Sequence, residues 1–225
     1  MVIPEFLRIF APMRYEAYQY IYPPRPANAI PPSSLPEWDN GTMIAQPKLN
    51  GSNCVLFTDG RQVLAMNRHG QRLTNFRLDP REVLSSLAGR SGGWTVLNGE
   101  YLNKSKTDEA GRVVNHRLVI FDVLVWDSEY LVGSTFEERA RILDRAFGEE
   151  PAAKHYLTRV SDSIDRVRSY RSGFAGLFDG LTRRGSLVEG VVLKRAAARL
   201  EVGNTEGNNS RSQVKSRAQS KNYKF

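Results

Sequence analysis

Apolar residues along the chain follow two rhythms. Apolar or alternating runs rich in β-branched and aromatic residues, bounded by turn residues, predict strands over 43–47, 52–57, 62–67, 94–102, 118–126, 187–194 and 210–217. Asp59-Gly60 and His69-Gly70 read as turns that join the early strands into hairpins. Helical spacing is expected over 79–87, where Asp79 precedes Pro80 as cap and first residue. A second helix is expected from Ser134 to about Phe147, because Ser134 and Glu137 have capping-box spacing and Ile142, Leu143, Ala146 and Phe147 share one face. Further helices are expected over 162–172 and 173–182, and residues 13–22 form a short tyrosine-rich helix or strand. Residues 20–38 carry six prolines, which fix φ and remove amide donors, so this stretch is expected to run extended over the surface. Strands and helices without a regular βαβ alternation predict an α+β fold with mostly antiparallel sheets.

A chain of 225 residues can bury one substantial core and one small appendage. Its formal charge of +8 and pI near 9.7 favour a polyanionic partner, because surplus cations concentrate phosphate-bearing ligands by long-range attraction. Arginine supplies most of those cations and suits bidentate phosphate contacts. Cys54, the single cysteine, excludes an internal disulfide and fits a reducing compartment. No stretch approaches the ~18 apolar residues of a membrane span, so no membrane partner and a cytoplasmic location are expected. His69, His116 and His155 lie far apart and offer no zinc-ligand spacing.

Candidate chemistry falls on the strands. Lys48 follows a β-run and precedes Gly51, which lets the backbone turn sharply beside a phosphate; the competing reading is a surface lysine before a turn. A lysine nucleophile must lose its proton, which from a reference pKa of ~10.4 requires neighbouring cations or burial. Glu100 sits in an apolar strand, where a carboxylate is costly unless it is paired, metal-bound or on a sheet edge. Glu189 opens the apolar run Gly190-Val191-Val192-Leu193-Lys194, a position from which a carboxylate can hold a hydrated Mg²⁺. Lys215 and Arg217 alternate on one strand face, so both side chains point the same way. The basic, aromatic-tipped stretch 221–225 suits backbone contact and stacking on nucleic acid, whereas Arg183-Arg184 contacts nucleic acid or faces water.

In this order the segments resemble the covalent nucleotidyltransferases, the superfamily of polynucleotide ligases and mRNA-capping enzymes whose lysine forms a phosphoramidate with a nucleotide. Lys48-Leu49-Asn50-Gly51-Ser52-Asn53 is similar to the first motif of the RNA-ligase branch, of the T4 RNA ligase 2-like kind; DNA ligases and capping enzymes usually carry Asp where this chain has Asn50. Arg68 matches an arginine that contacts the nucleotide sugar or the end phosphate, with a solvent-facing hairpin arginine as the other reading. Asn98-Gly99-Glu100-Tyr101 resembles the third motif, whose glutamate holds the ribose hydroxyl or the metal. Phe121 matches a ring that stacks on the base, and a core phenylalanine is the alternative. Gln46 is placed to meet an adenine edge. Glu189 to Lys194 is the strongest match after the first motif, with Glu189 as metal carboxylate and Lys194 as its basic companion near the phosphates, and Lys215-Ser216-Arg217 resembles the Lys-x-Lys pair that grips the triphosphate, with Arg217 replacing the second lysine.

The resemblance implies an ATP-grasp-like nucleotidyltransferase domain over 39–225, after an N-terminal segment over 1–38, with no C-terminal oligonucleotide-binding barrel or helical domain. It implies an ATP-dependent RNA ligase using Mg²⁺ or Mn²⁺: Lys48, Lys215 and Arg217 act in catalysis, Glu100 and Glu189 hold metal, and Gln46, Asn50, Gly51, Arg68, Phe121 and Lys194 help bind the nucleotide. The implied partner is nucleic acid with 5′-phosphate and 3′-hydroxyl ends. Extra grip on it would come from this domain, the segment before Trp38 or a protein partner, and a monomer is expected. The alternatives are a minimal DNA ligase, a GTP-using capping enzyme and a non-catalytic module that binds nucleotide or nucleic-acid ends.

Overall fold

Two β-sheets face each other across a cleft in the computed structural model, which describes residues 18–88, 90–108, 110–148, 156–204 and 210–218. The first sheet has four strands: β1 (Asn28–Ala29), β2 (Met43–Leu49), β12 (Val188–Arg195) and β13 (Gln213–Arg217), in the order β1-β13-β12-β2. The second has seven: β3 (Ser52–Thr58), β4 (Val63–Met66), β5 (Thr95–Leu102), β8 (Arg117–Trp126), β9 (Glu129–Tyr130), β10 (Leu157–Arg159) and β11 (Ile164–Val167), running β10-β11-β8-β5-β3-β4 with β9 on β8. A small hairpin pairs β6 (Lys106–Thr107) with β7 (Val113–Val114). Pairing is antiparallel except for β1 with β13 and β11 with β8.

Period-two alternation explains how the first sheet serves two purposes. One face presents Met43, Ala45, Val191, Leu193 and Val214 to a buried cluster with Leu35 of α1 (Leu35–Trp38) and Phe174, Phe178 and Leu181 of α4 (Phe174–Thr182). The other face presents Gln46, Lys48, Val192, Lys194, Gln213, Lys215 and Arg217 to the cleft. A second apolar cluster joins β3, β5 and β8 to α2 (Pro80–Leu87) and α3 (Phe136–Phe147), the helices contributing Val83, Leu143 and Phe147.

Caps end the helices largely as the sequence predicts. Asp79 accepts from the Arg81 amide at 2.9 Å. The capping box of α3 falls one residue later than expected: Thr135, not Ser134, is the cap, and Glu138 answers from the third position. Asp39 reaches across the chain to cap α4, taking the Gly173 amide at 2.7 Å. The helix expected over 162–172 is absent. Ile164 and Val167 instead form β11, held parallel to β8 and locked by Arg117 with Asp165 at 2.6 Å. The proline-rich stretch is more ordered than a surface coil: Pro23 and Pro24 are buried, and Pro32–Ser34 and Leu35–Trp38 form short helices. Of the tyrosine-rich stretch, 13–17 lies outside the described residues, as do His155 and 221–225; residues 18–22 carry no regular element. No helix among the described residues is long and apolar enough to cross a membrane.

Candidate active site

The cleft is a cavity of about 510 Å³. Its first wall is built in rows across the four-stranded sheet. Lys48, Gly190 and Arg217 occupy one row, Gln46, Val192 and Lys215 the next, and Lys194 with Gln213 the third. Between Lys48 and Arg217 the middle residue has no side chain, and none could fit: a Cβ on Gly190 (φ 151°) would lie 1.9 Å from the Ser216 carbonyl oxygen. The opposite wall presents Asn53 of β3, Glu100 of β5 and Phe121 of β8, with Arg68 at the rim.

Two β-bulges deliver side chains that regular pairing would turn away. Leu49 pairs with Val188 and Lys48 with Gly190, so Glu189 is an extra residue on β12. Asn98 pairs with Asp122 and Gly99 with Ile120, which makes Phe121 the extra residue on β8. Both face the cavity. Glu189 Oε1 lies 2.5 Å from the Lys48 ammonium and 3.4 Å from Arg217 Nη2.

Gly51 follows at the turn, but not for the reason its sequence context suggests. Its φ is ordinary; what excludes a side chain is the Tyr101 carbonyl oxygen, 2.7 Å from where a Cβ would sit. The Gly51 amide donates to Glu100 Oε1 at 3.1 Å, and Asn50 ties the turn to β12 by bonding the Ser186 and Leu187 carbonyls.

Electrostatics in the cavity are unbalanced. β5 lies between β3 and β8, so Glu100 does not escape burial at an edge. Burial pushes its carboxyl up to about 7, with Glu189 adding to the rise and Lys48, the Gly51 amide and Arg68 opposing it. Burial presses Lys215 below the usual lysine range, reinforced by Arg217, Lys48 and Arg25 and opposed by Glu189. In both cases burial disfavours the charged form, and a bound cation at Glu100 or phosphate at Lys215 would offset that cost. Among the described residues no group of three or more His, Cys, Asp or Glu could enclose a metal ion. Two neighbouring carboxylates nevertheless fit Mg²⁺, which commonly takes one or two protein carboxylates and completes its shell with water and substrate phosphate.

At the far end Gln46 is buried, and its Nε2 donates to the Phe121 carbonyl at 3.3 Å and to Ser169 Oγ at 3.1 Å. A carbonyl can only accept, so the amide orientation is fixed and Oε1 is left buried without a hydrogen-bond partner. Lys194 is also buried, with its ammonium 4.8 Å from the Phe121 ring centre and 4.5 Å from that of Phe136. Burial pushes Lys194 down to about 8 against the attraction of Asp122. Asp122 and Arg139 form a buried bidentate pair at 2.8 and 3.1 Å behind the ring. Asp122 is itself opposed by burial, yet Arg139 and Lys194 outweigh it and hold the carboxyl below its usual range.

Every site residue expected from the sequence therefore lines one cavity: Gln46, Lys48, Asn50, Gly51, Arg68, Glu100, Phe121, Glu189, Lys194, Lys215 and Arg217. Sequence reasoning missed the segment Pro23 to Ala27, which closes one side of the cavity and brings Arg25 to it. Only the positive charge within a proline run could have signalled it.

The fold is shared with solved ligase domains. The RNA ligase family model matches residues 41–215, and the chain belongs to that family. Solved structures of similar fold include the ligase domain of LigD from M. tuberculosis, 18% identical over 89% of this chain and 60% of that one, with a TM-score of 0.62. A mycobacterial DNA ligase D complexed with ATP and MES is 18% identical over 78% of this chain and 54% of its own, TM-score 0.54. A Lig E DNA ligase is 15% identical over 87% and 68%, TM-score 0.50. At these identities the likeness is one of fold. The chain spans 60% and 54% of the first two neighbours' lengths. No curated protein matches it.

Proposed function

We propose that the protein is an ATP-dependent RNA ligase that stores AMP on Lys48. The observation that carries this reading is the convergence on one cavity of Lys48, its carboxylate partner Glu189 at 2.5 Å and the cations of β13. Gln46 Oε1, a fixed and unpartnered acceptor, calls for a donor such as the adenine amino group; guanine presents an oxygen on that edge. Phe121 offers its ring to the base, and Arg68 reaches toward the sugar or an end phosphate. One neighbour of similar fold, a mycobacterial DNA ligase D, is complexed with ATP, which agrees with the same nucleotide.

In the reaction the Lys48 nitrogen attacks the α-phosphorus in line, a P–N bond forms, the α,β bridging P–O bond breaks and pyrophosphate leaves. The ammonium proton passes first to Glu189, the carboxylate in contact with it. Lys215 and Arg217 stabilise the charge that builds on the phosphates. Glu100, with Glu189 once it has passed the Lys48 proton on to water, would hold Mg²⁺, which when bound supplies further charge neutralisation at the phosphate oxygens. AMP then passes to a 5′-phosphate end, and a 3′-hydroxyl displaces it to seal the strand.

Asn50 and the family match favour RNA over DNA. Incubation with α-labelled ATP and Mg²⁺ followed by a denaturing gel should leave label on the wild-type protein and on Lys104→Ala, and none on Lys48→Ala. Label retained by Lys48→Ala would refute the reading. Labelling by GTP in preference to ATP would point to capping chemistry, and sealing assays on RNA and DNA nicks would assign the substrate.

A further inference from the structure

We infer that Arg25, carried by the proline-rich segment, binds the β- and γ-phosphates of the nucleotide, making this segment a fixed strap of the site. The inference rests on the nucleotide reading of the cavity. Three observations support it.

First, the strap is tethered on both sides of Arg25. Upstream, Tyr18 and Ile21 are buried in the larger apolar cluster and the Tyr22 amide donates to the Val202 carbonyl at 3.1 Å. Downstream, β1 pairs with β13 in a register that sets Ala29 beside Lys215, and the Ile30 amide donates to the Lys215 carbonyl at 2.9 Å. Pro23, Pro24 and Pro26 restrict φ in the span between, so little entropy remains to be lost when Arg25 meets a ligand.

Second, Arg25 belongs to the cationic end of the cavity. The Lys215 ammonium donates to the Pro26 carbonyl at 3.3 Å, and Arg25 is among the cations that disfavour the charged form of Lys215. Gln46, which is joined to the Phe121 carbonyl where a base would lie, is on β2, and Val192 of β12 separates it from Lys215 in the row they share.

Third, the cations already assigned are partly committed. Lys48 is to be joined to the α-phosphorus, Arg217 lies 3.4 Å from the Glu189 carboxylate, and both carboxylates add negative charge where the phosphates must sit. A planar guanidinium on a stiff strap supplies bidentate contacts for the two outer phosphates.

ATP and AMP share the base, sugar and α-phosphate, so their affinities separate this role from a structural one. In a Lys48→Ala background, which prevents turnover, equilibrium titration should show Arg25→Ala weakening ATP roughly tenfold or more while AMP changes less than about twofold. Arg25→Lys should recover part of the ATP affinity. Equal weakening of both nucleotides, no change in either, or no ATP binding by the Lys48→Ala protein would overturn the inference. Failure of wild-type protein to take covalent label would refute ligase chemistry while leaving this affinity difference intact.

Discussion

Gly190 carries the severest steric demand in the site. It combines a φ that L-residues seldom adopt with a carbonyl where a Cβ would stand, and it is the residue that lets Lys48 and Arg217 share a row. Gly190→Ala should therefore destabilise the protein by more than about 2 kcal/mol, read as a fall in the denaturant midpoint. Glu100 makes a pH-dependent contribution of the opposite kind from a paired carboxylate. Its folded-state value, about 7, lies above its ordinary 4.5, so the folded state binds this proton more tightly than the unfolded state does. The penalty is absent below about pH 4.5, grows through the interval and is complete above about pH 7. The ligand-free wild type should lose stability relative to Glu100→Gln as pH rises from 5 to 8, measured by thermal melting; a constant difference would contradict the burial argument.

The longer strands β2, β3, β4, β5, β8, β12 and β13 were legible from their apolar content, whereas the two- and three-residue β1, β6, β7, β9 and β10 were not; the motif residues were legible from their resemblance to a family. The aim of two side chains was not: Glu189 and Phe121 reach the cavity because each is the extra residue of a bulge, which depends on the register of a partner strand distant in sequence. The stretch 164–167 was misread for a related reason. Its Ile and Val become a strand between β10, an antiparallel partner close in sequence, and β8, a parallel partner that is not, while Arg117 supplies a distant counter-ion for Asp165. Where the signal is local, it held. The α3 capping box needs only four consecutive residues, and its one-residue displacement from Ser134 to Thr135 reflects two adjacent hydroxyl residues competing for the cap. Thr135→Ala should cost about 1 kcal/mol and Ser134→Ala much less.

At the scale of the molecule, two sheets assembled from distant stretches enclose one cavity, and the strap before β2 closes its side. Composition indicated a polyanionic ligand; the geometry adds that Lys48, Lys215, Arg217 and Arg25 line one cavity, where such a ligand would meet them together. The strap escaped sequence reasoning because prolines report a stiff backbone but not what it packs against, and its partner, β13, lies near the other end of the chain. The account as a whole depends on the Lys48 nitrogen becoming bonded to a nucleotide phosphorus. Peptide mapping of wild-type protein after incubation with ATP and Mg²⁺ tests this directly. An acid-labile AMP on the peptide that contains Lys48 is the predicted result; unmodified Lys48 with AMP on another residue, or no adduct under turnover conditions, would contradict it.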